Sequence, residues 1–170
     1  WHGEGHICSV RPGGGDVTFH TSGPSENLLS NFDASGKRVA MLYSSSVRPP
    51  EVYLGEARQG KFALRPLTDF NAAFLKEVEV RKPQSHWIRT PDGTKVHCWS
   101  IKPRGKKTPA ILEIHGGPHA QYGVAFFHEL QMLAAAGYAV FYSNPRGSKG
   151  YGHQHCAAIK GSWGDKDWQD

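Results

Sequence analysis

The sequence predicts two regions of different fold class, an all-β region followed by an α/β region. Up to about residue 70, short β-prone runs alternate with turns, which is typical of a sandwich, a barrel or part of a propeller. From about residue 84, strand-like and helix-like runs alternate, which predicts a parallel sheet built from βαβ units. Residues 71–83 lie between the two regions and are predicted to be a connector.

Four strands are predicted in the first region, each bounded by turn-forming residues. Glycine, proline and the Asp33-Ala34-Ser35-Gly36 sequence mark the turns, because these residues favour the backbone angles that turns require. The strands cover residues 16–21, 38–43, 51–54 and 61–64, and the turns cover residues 13–15, 33–36, 49–50 and 59–60. No clean internal repeat is present, so periodicity leaves the choice among sandwich, barrel and propeller open.

The second region begins with a predicted hairpin and continues with alternating strands and helices. Residues 86–89 and 95–102 flank the turn Pro91-Asp92-Gly93, which predicts two antiparallel strands. Apolar runs over 110–114 and 138–142 are typical of buried strands, and 154–159 is compatible with a helix. Between the two apolar runs, residues 124–136 carry apolar side chains at helical spacing and end at Gly137, which predicts a helix.

Composition excludes several classes of protein. The apolar content of 38% and the aromatic content of 11% indicate a globular chain, and no apolar run reaches the roughly 18–20 residues of a membrane helix. The net charge is +5, but the densest basic cluster has no aromatic interleaving and is predicted to be a solvated hairpin loop, not a nucleic-acid site. That cluster comprises Lys102, Arg104, Lys106 and Lys107.

The three cysteines do not predict a disulfide framework. Cys8, Cys98 and Cys156 are odd in number, far apart and without a CxxC pair. We expect buried, inert thiols in a reducing compartment, and a cytoplasmic location follows as the expectation.

The turn His115-Gly116-Gly117-Pro118, which follows the predicted strand 110–114, is the candidate catalytic feature. Glycines leave backbone N–H groups uncovered, and such donors stabilise the negative charge that grows on a carbonyl oxygen during acyl transfer. A strand-to-helix loop of this type contributes to the oxyanion hole of hydrolases. A tight βα turn that merely needs glycine explains the tetrapeptide equally well.

Three longer stretches resemble the prolyl oligopeptidase family of serine peptidases, most closely its acylaminoacyl-peptidase-like branch. They are LEIHGGPHAQYG, AAAGYAVFYSNPRGSKGYG and GSWGDKDWQD, within residues 111–170. Residues 89–93, 99–103, 33–40 and 50–53 also fit the family. The resemblance implies that residues 84–170 form the N-terminal half of an α/β-hydrolase domain, after a connector over 71–83. Residues 1–70 would be the C-terminal part of a β-propeller domain.

The resemblance also implies roles for individual residues. Gly117 matches the position whose backbone N–H helps to form the oxyanion hole, and His115 stands where some relatives carry an oxyanion-binding tyrosine. His115, Gly116, Arg146 and Tyr151 are expected near the site, in substrate-binding or structural roles. For Arg146 we favour structural anchoring through Asp167 or Asp170 over contact with substrate.

The nucleophile expected of such an enzyme is absent from the sequence. No serine lies in a G-x-S-x-G motif, and the aspartate and histidine follow the serine in this fold class. The resemblance therefore implies a peptidase that hydrolyses short peptides or acyl-peptides with a Ser-His-Asp triad outside this chain, and the chain alone is predicted to be inactive. A carboxylesterase-like hydrolase and a catalytically silent binding module are the alternatives.

No cofactor is expected. The nucleotide-binding motifs GxGxxG and GxxxxGK[ST] do not follow a strand. The pairs His115/His119 and His153/His155 lack the spacing or the further ligands of a metal site, so no metal is predicted. The expected partner is a peptide substrate, without nucleic acid or membrane, and formation of a homo-oligomer is left open.

Overall fold

The structure is a computed structural model that describes residues 1–104 and 107–170. The chain divides into two compact units. We call Glu4–Glu79 with Val124–Phe126 the β unit, and Trp1–Gly3, Val80–Gly123 and Phe127–Asp170 the mixed unit. Each unit is described by itself.

The β unit is built on a four-stranded antiparallel sheet whose strands follow chain order. The sheet contains β3 (Glu26–Phe32), β4 (Arg38–Ser45), β5 (Arg48–Arg58) and β6 (Lys61–Pro66). The short strands β1 (Cys8–Ser9) and β2 (Thr18–Phe19) pair with each other. A single short helix, α1 (Ala72–Glu77), follows the sheet.

Alternating burial along β4 and β5 forms the core of this unit. Val39, Met41 and Tyr53 are buried together with Ile7, because alternate residues of a strand point to the same face. Gly55 is required where the two strands pack: a Cβ there would lie 2.8 Å from Val39 Cγ1. The pattern of buried residues therefore fixes which face of the sheet is covered.

Three of the predicted strands and two of the turns in this unit are confirmed, with differences in length. At the turn 33–36, Gly36 has φ 67° and Asp33 Oδ1 accepts hydrogen bonds from the backbone N–H groups of Lys37 and Arg38. The turn 59–60 also forms, with Gln59 at φ 49° and Gly60 at φ 81°. The strand predicted over 16–21 shrinks to the two residues of β2.

The predicted turn at Pro49-Pro50 is wrong, because both prolines lie inside β5. The register between β4 and β5 shifts between Tyr43 and Ser45, and proline is tolerated at such irregularities because it has no N–H to donate to the ladder. Three elements of the β unit were not predicted: the two-residue strand β1, the strand β3, whose polar sequence ENLLSNF lacks clear alternation, and the helix α1 within the connector.

The mixed unit contains a four-stranded sheet in the order β7-β8-β10-β9. Its elements are β7 (Gln84–Arg89), β8 (Lys95–Ile101), β9 (Ala110–Glu113), α2 (His128–Ala135), β10 (Ala139–Asn144), α3 (His153–Ala157) and α4 (Lys166–Gln169). The predicted hairpin is confirmed as β7 and β8, and the predicted parallel pair as β9 and β10. The sheet is mixed and not purely parallel, since β8 and β10 pair antiparallel.

The helix predicted over 124–136 begins later, at His128. Val124–Phe126 belongs to the β unit, where the Phe126 N–H donates to the hydroxyl oxygen of Ser44 at 3.0 Å. Because that backbone donor is bonded to a side chain, the chain is extended here and helical hydrogen bonding starts only after it. The apolar spacing was therefore correct for the end of α2 and wrong for its start.

The core of the mixed unit lies between α2 and one face of the sheet. Alternate residues of the two central strands, β8 and β10, pack against two residues of α2. The strand residues are Trp99, Ile101, Val140 and Tyr142, and the helix residues are Leu130 and Ala134. The helix that follows β9 and leads back to β10 thus covers the sheet as a βαβ crossover does. This packing fixes the ends of β9 and β10, from which both glycine-rich loops start.

The expectations for the thiols and for the basic loop have mixed outcomes. All three cysteines are free, but Cys8 is exposed and Cys98 and Cys156 are half-buried, so the prediction of buried thiols is wrong. Gly105 and Lys106 of the predicted basic loop lie outside the described residues. Among the described helices, none has the length and apolar character needed to cross a membrane.

Candidate active site

The two glycine-rich loops leave the sheet at the same edge. β9 ends at Glu113 just before the turn His115–Pro118, and β10 ends at Asn144 just before the loop of residues 145–152. The carboxyl ends of parallel neighbours lie together, and ligands of α/β sheets bind at such edges. A backbone hydrogen bond from Lys149 N–H to the Ala120 carbonyl, 2.9 Å long, joins the two loops.

Gly117 has the geometry of a position that only glycine can occupy. Its φ is 131°, and a Cβ there would lie 2.9 Å from the backbone nitrogen of Ala120. The residue is exposed, and no residue described in the structure accepts a hydrogen bond from its N–H. Gly116 differs, because a Cβ on it would meet nothing within 4 Å. The turn therefore presents one accessible backbone donor at a position with a strict requirement for glycine.

His115 forms a hydrogen bond with a buried serine, Ser148. In this bond the serine oxygen is the acceptor, whereas a nucleophilic serine donates its hydrogen to the histidine that acts as its base. His115 Nε2 lies 3.0 Å from Ser148 Oγ, and that oxygen lies 2.6 Å from the Pro145 carbonyl oxygen. A carbonyl oxygen only accepts, so the Ser148 hydroxyl hydrogen points to Pro145, and Ser148 Oγ can take part in the bond to His115 only as an acceptor. The other ring nitrogen of His115, Nδ1, lies 3.0 Å from the Gly116 carbonyl oxygen. Ser148 is fully buried. The pair therefore ties the two loops together and offers no nucleophile.

Tyr151 is held in a partly buried hydrogen-bond network at the end of β10. Its hydroxyl lies 2.8 Å from Asn144 Nδ2 and 2.9 Å from His97 Nδ1, and His97 Nε2 lies 2.7 Å from Ser85 Oγ. Burial, with a smaller effect from His2, lowers the pKa of His97 to about 4. Burial also raises the pKa of Tyr151 to about 12.

Both groups are therefore neutral near neutral pH, which fixes the direction of each hydrogen bond. The Asn144 amide donates to the Tyr151 oxygen, the Tyr151 hydroxyl donates to His97 Nδ1, and His97 Nε2–H donates to Ser85. Asn144 also bonds both backbone groups of Tyr122, at 2.7 and 2.8 Å. Sequence reasoning missed Asn144; the only signal for it was a polar residue at the end of a buried strand.

The Arg146 side chain forms ion pairs with two carboxylates. Its Nη2 lies 2.7 Å from Asp170 Oδ1, its Nη1 lies 2.6 Å from Asp92 Oδ2, and its backbone N–H donates to Asp170 at 2.7 Å. The Asp170 side chain is 0% exposed. The hydrogen bonds that Arg146 donates to these carboxylates, first of all to Asp170, raise its pKa.

The predicted anchoring of Arg146 by Asp170 is confirmed, and the alternative partner Asp167 is wrong. The Asp167 carboxylate instead accepts a hydrogen bond from the Gly164 N–H at 2.8 Å. Asp92, in the turn between β7 and β8, was not predicted as a partner, since 54 residues separate it from Arg146. Arg146 thus fixes the start of the second glycine loop from two distant parts of the chain.

Two further histidines bond to carbonyl groups of the second loop. His119 Nδ1 lies 2.9 Å from the Gly147 oxygen, and His155 Nε2 lies 2.9 Å from the Pro145 oxygen. Within the described residues, no group of three or more histidine, cysteine or acidic side chains is arranged to hold a metal ion. These imidazoles therefore support the backbone of the loop.

A large open cavity lies away from this turn. Its volume is about 1050 Å³, and Cys98, Ser100, Leu112 and Phe141 are among its lining residues. They alternate along the strands with the residues that pack against α2, so the cavity lies along the other face of the sheet. His115 and Gly117 do not line it, and we assign the candidate site to the loop edge.

Comparison with known proteins identifies peptidases that are similar to this chain. The profile of the prolyl oligopeptidase family matches residues 124–170. An uncharacterized peptidase of Bacillus subtilis, YuxL, is 44% identical over 127 residues, which are 72% of this chain and 19% of the relative. The dipeptidyl-peptidase 5 of Schizosaccharomyces pombe is 33% identical over 90 residues, 49% of this chain and 13% of the relative.

Solved structures of acylaminoacyl peptidases have the same fold. That of Pyrococcus horikoshii superposes with a TM-score of 0.85 and 31% identity, over 99% of this chain and 26% of that one. An acylaminoacyl peptidase in complex with Z-Gly-Gly-Phe-chloromethyl ketone superposes with a TM-score of 0.79 and 32% identity, over 92% of this chain and 24% of that one. The chain thus spans between about one eighth and about one quarter of the length of these relatives. The chain belongs to the prolyl oligopeptidase family.

Proposed function

We propose that this chain is the part of a serine peptidase that supplies half of the oxyanion hole. The observation that carries the proposal is the exposed backbone N–H of Gly117, held at φ 131° in a turn that admits no Cβ. In the intact protein, a serine outside these residues would attack the carbonyl carbon of a peptide or acyl-peptide. The carbonyl oxygen would then become negatively charged and accept a hydrogen bond from Gly117.

The remaining catalytic groups come from outside these 170 residues. The serine proton passes to a histidine oriented by an aspartate, the bond to the leaving amine breaks as that histidine returns the proton, and water then releases the acyl group. Within this chain, four residues have structural roles in the two loops and take part in no chemical step: His115, Gly116, Arg146 and Tyr151. His115 joins the loops, Arg146 and Tyr151 hold the second loop, and Gly116 leaves the turn open.

The two units fit the two domains of such a peptidase. We propose that residues 84–170 form the N-terminal half of an α/β-hydrolase domain and that residues 1–70 form the C-terminal part of a β-propeller, with 71–83 as connector. The parallel pair β9–β10 with α2 supports the first assignment. The four-stranded antiparallel sheet β3-β4-β5-β6, which has the strand number of one propeller blade, supports the second.

The proposed substrate is a short peptide or an acyl-peptide. The support is the similarity to an acylaminoacyl peptidase whose complex contains a peptide chloromethyl ketone. An esterase on the same scaffold would use the same oxyanion turn, so the substrate profile has to be measured directly.

The test compares Gly117→Ala with Gly116→Ala in the full-length protein. Alanine keeps the backbone N–H, but φ 131° is strained for it and its Cβ would lie 2.9 Å from the Ala120 nitrogen, so G117A displaces the donor. We expect G117A to lower kcat by roughly 10²–10³-fold with a much smaller change in KM, because an oxyanion donor acts in the transition state. G116A is the matched control, since its added methyl group meets no neighbour. Melting curves of both variants separate displacement of the donor from loss of the fold.

The assay uses an acyl-peptide, a free peptide and a simple ester as substrates. Equal kcat values for G117A and wild type, with both folded, would overturn the assignment of the donor. A full-length protein that cleaves the ester and neither peptide would be an esterase. A protein that cleaves none of the three would be a binding module.

A further inference from the structure

The β unit contains a serine–histidine pair of a different kind from the His115–Ser148 pair. Four such pairs lie within 3.0 Å in the described residues: Ser9/His20, Ser85/His97, His86/Ser100 and His115/Ser148. In two of them, the bonds described above make the imidazole the donor and the serine the acceptor. In the pair of Ser9 and His20, as in that of His115 and Ser148, the second ring nitrogen faces a backbone carbonyl. The two pairs differ at the serine, since the Ser148 hydroxyl donates to the Pro145 carbonyl, whereas among the described residues Ser9 Oγ bonds to His20.

The Gly60 carbonyl fixes the tautomer of His20. His20 Nδ1 lies 2.6 Å from the Gly60 oxygen, which can only accept, so the hydrogen of the neutral ring is on Nδ1. Nε2 then has a free lone pair, and it lies 2.7 Å from Ser9 Oγ. The serine hydroxyl therefore donates to Nε2, which is the arrangement of a nucleophile with its general base. The Gly60 carbonyl takes the orienting position that a carboxylate has in a catalytic triad.

The imidazole is held in place by its surroundings. The His20 backbone N–H donates to the Ile7 carbonyl at 2.8 Å, and its carbonyl accepts from the Phe62 N–H at 2.9 Å. The ring also lies against the edge of the Phe62 ring, with centroids 6.0 Å apart. Because backbone and ring are both constrained, Nε2 stays directed at Ser9 without an added ordering cost.

A cavity beside the pair offers room for a small acyl group. Its volume is about 350 Å³, and Ser9 and His20 line it together with Ile7, Phe32 and Phe62. Lys61 also lines it and adds a positive charge to its wall. Ser9 itself is exposed, so an ester in solution can reach it.

We propose that Ser9 is a second nucleophile, which accepts short apolar acyl groups from activated esters. Ser9 Oγ bonds to the ester carbonyl carbon, its proton passes to His20 Nε2, and the bond to the leaving oxygen breaks with return of that proton. The product is an acyl-serine and a free alcohol or phenol. This single acylation of activated esters is separate from the peptide hydrolysis proposed above and needs none of the residues of that site.

The test uses the 170-residue chain with p-nitrophenyl butyrate, followed by an acid quench and peptide mass spectrometry. We expect a p-nitrophenolate burst that approaches one equivalent and a butyryl group on Ser9. Ser9→Ala should abolish the burst, and His20→Gln should slow it by roughly 10²–10⁴-fold, the usual contribution of a general base. Ser22→Ala, an exposed serine outside the cavity, is the matched control and should react like the wild type.

Circular dichroism of each variant establishes that it is folded before the rates are compared. The proposal is overturned by a folded wild-type chain whose butyryl groups lie only on cysteines or lysines. It is equally overturned by a folded His20→Gln chain that acylates Ser9 at the wild-type rate.

Discussion

Arg146 connects the second glycine loop to two carboxylates that are distant in sequence, Asp92 and Asp170. Because the Asp170 side chain is 0% exposed and the Arg146 side chain is 9% exposed, removing the guanidinium leaves a buried carboxylate without a counterion. Breaking such a pair costs more than the pair itself contributes, since the remaining charge stays desolvated.

We therefore expect Arg146→Ala to lower the free energy of unfolding by about 3 kcal/mol, measured by urea denaturation of the 170-residue chain. Lys149→Ala, three residues further along the same loop and exposed, should change it by no more than about 0.5 kcal/mol. A similar, small effect of both substitutions would show that the carboxylates find other partners.

Sequence reasoning located Gly117 and the loops around it, and it could not determine how they are joined. A glycine at a strand end is a local signal, because it reflects the backbone angles of one residue. The His115–Ser148 hydrogen bond spans 33 positions, and its polarity depends on a third group, the Pro145 carbonyl. Arg146 and Asp92 are farther apart still. Such contacts follow from the folded chain and leave no pattern along the sequence.

At the level of secondary structure elements, a buried carboxylate joins β5 to the segment that follows the sheet. Glu51 on β5 is 3% exposed, and it accepts hydrogen bonds from the Thr68 hydroxyl and from the backbone and side-chain N–H groups of Asn71. Burial alone would raise the pKa of Glu51, but these hydrogen bonds outweigh it and lower the pKa from 4.5 to about 2. The ionised form therefore stabilises the fold.

The sign of the pH dependence follows from this shift. The stability that Glu51 contributes is present above the unfolded pKa of 4.5 and is lost as the pH falls through the folded value of about 2. We expect Glu51→Gln to lower the melting temperature near neutral pH, with a difference from wild type that narrows between about pH 5 and about pH 2.

Glu56→Gln serves as the control for this prediction. Glu56 lies on the same strand with a side chain that is 41% exposed, so its substitution should change the stability by no more than about 0.5 kcal/mol. A difference between Glu51→Gln and wild type that stays constant across this pH range would contradict the assigned role of Glu51.

The elements themselves were predictable where local chemistry and packing agree. The hairpin β7–β8 follows from the turn Pro91-Asp92-Gly93, and the strands β9 and β10 follow from their apolar runs. Pro49 and Pro50 misled the prediction because tertiary pairing placed them at an irregularity of β5. The helix α2 begins late because the Ser44 hydroxyl accepts the Phe126 N–H. In both cases a contact from a neighbouring strand overrides the local preference.

At the scale of the whole chain, the catalytic groups that the 170 residues contain determine which reactions they can carry out alone. They hold one proposed oxyanion donor, Gly117 N–H, and no G-x-S-x-G motif in which a nucleophilic serine would be exposed beside it. Ser148, which forms a hydrogen bond with His115 of the turn, is buried, and its hydroxyl donates to the Pro145 carbonyl. Ser9 and its base lie in the β unit, and Gly117 lies in the mixed unit.

We therefore expect the purified 170-residue chain to hydrolyse no peptide substrate, because the sequence has no G-x-S-x-G nucleophile to act with the oxyanion turn and the reaction proposed for Ser9 is a single acylation by activated esters. The measurement is product release from an acyl-peptide and from a peptide p-nitroanilide, with the full-length protein as the positive control. Turnover by the short chain that scales with its concentration and disappears with a fluorophosphonate would contradict this expectation. Ser9→Ala then gives the decisive comparison: if that turnover persists in the variant, a nucleophile of the mixed unit must be responsible.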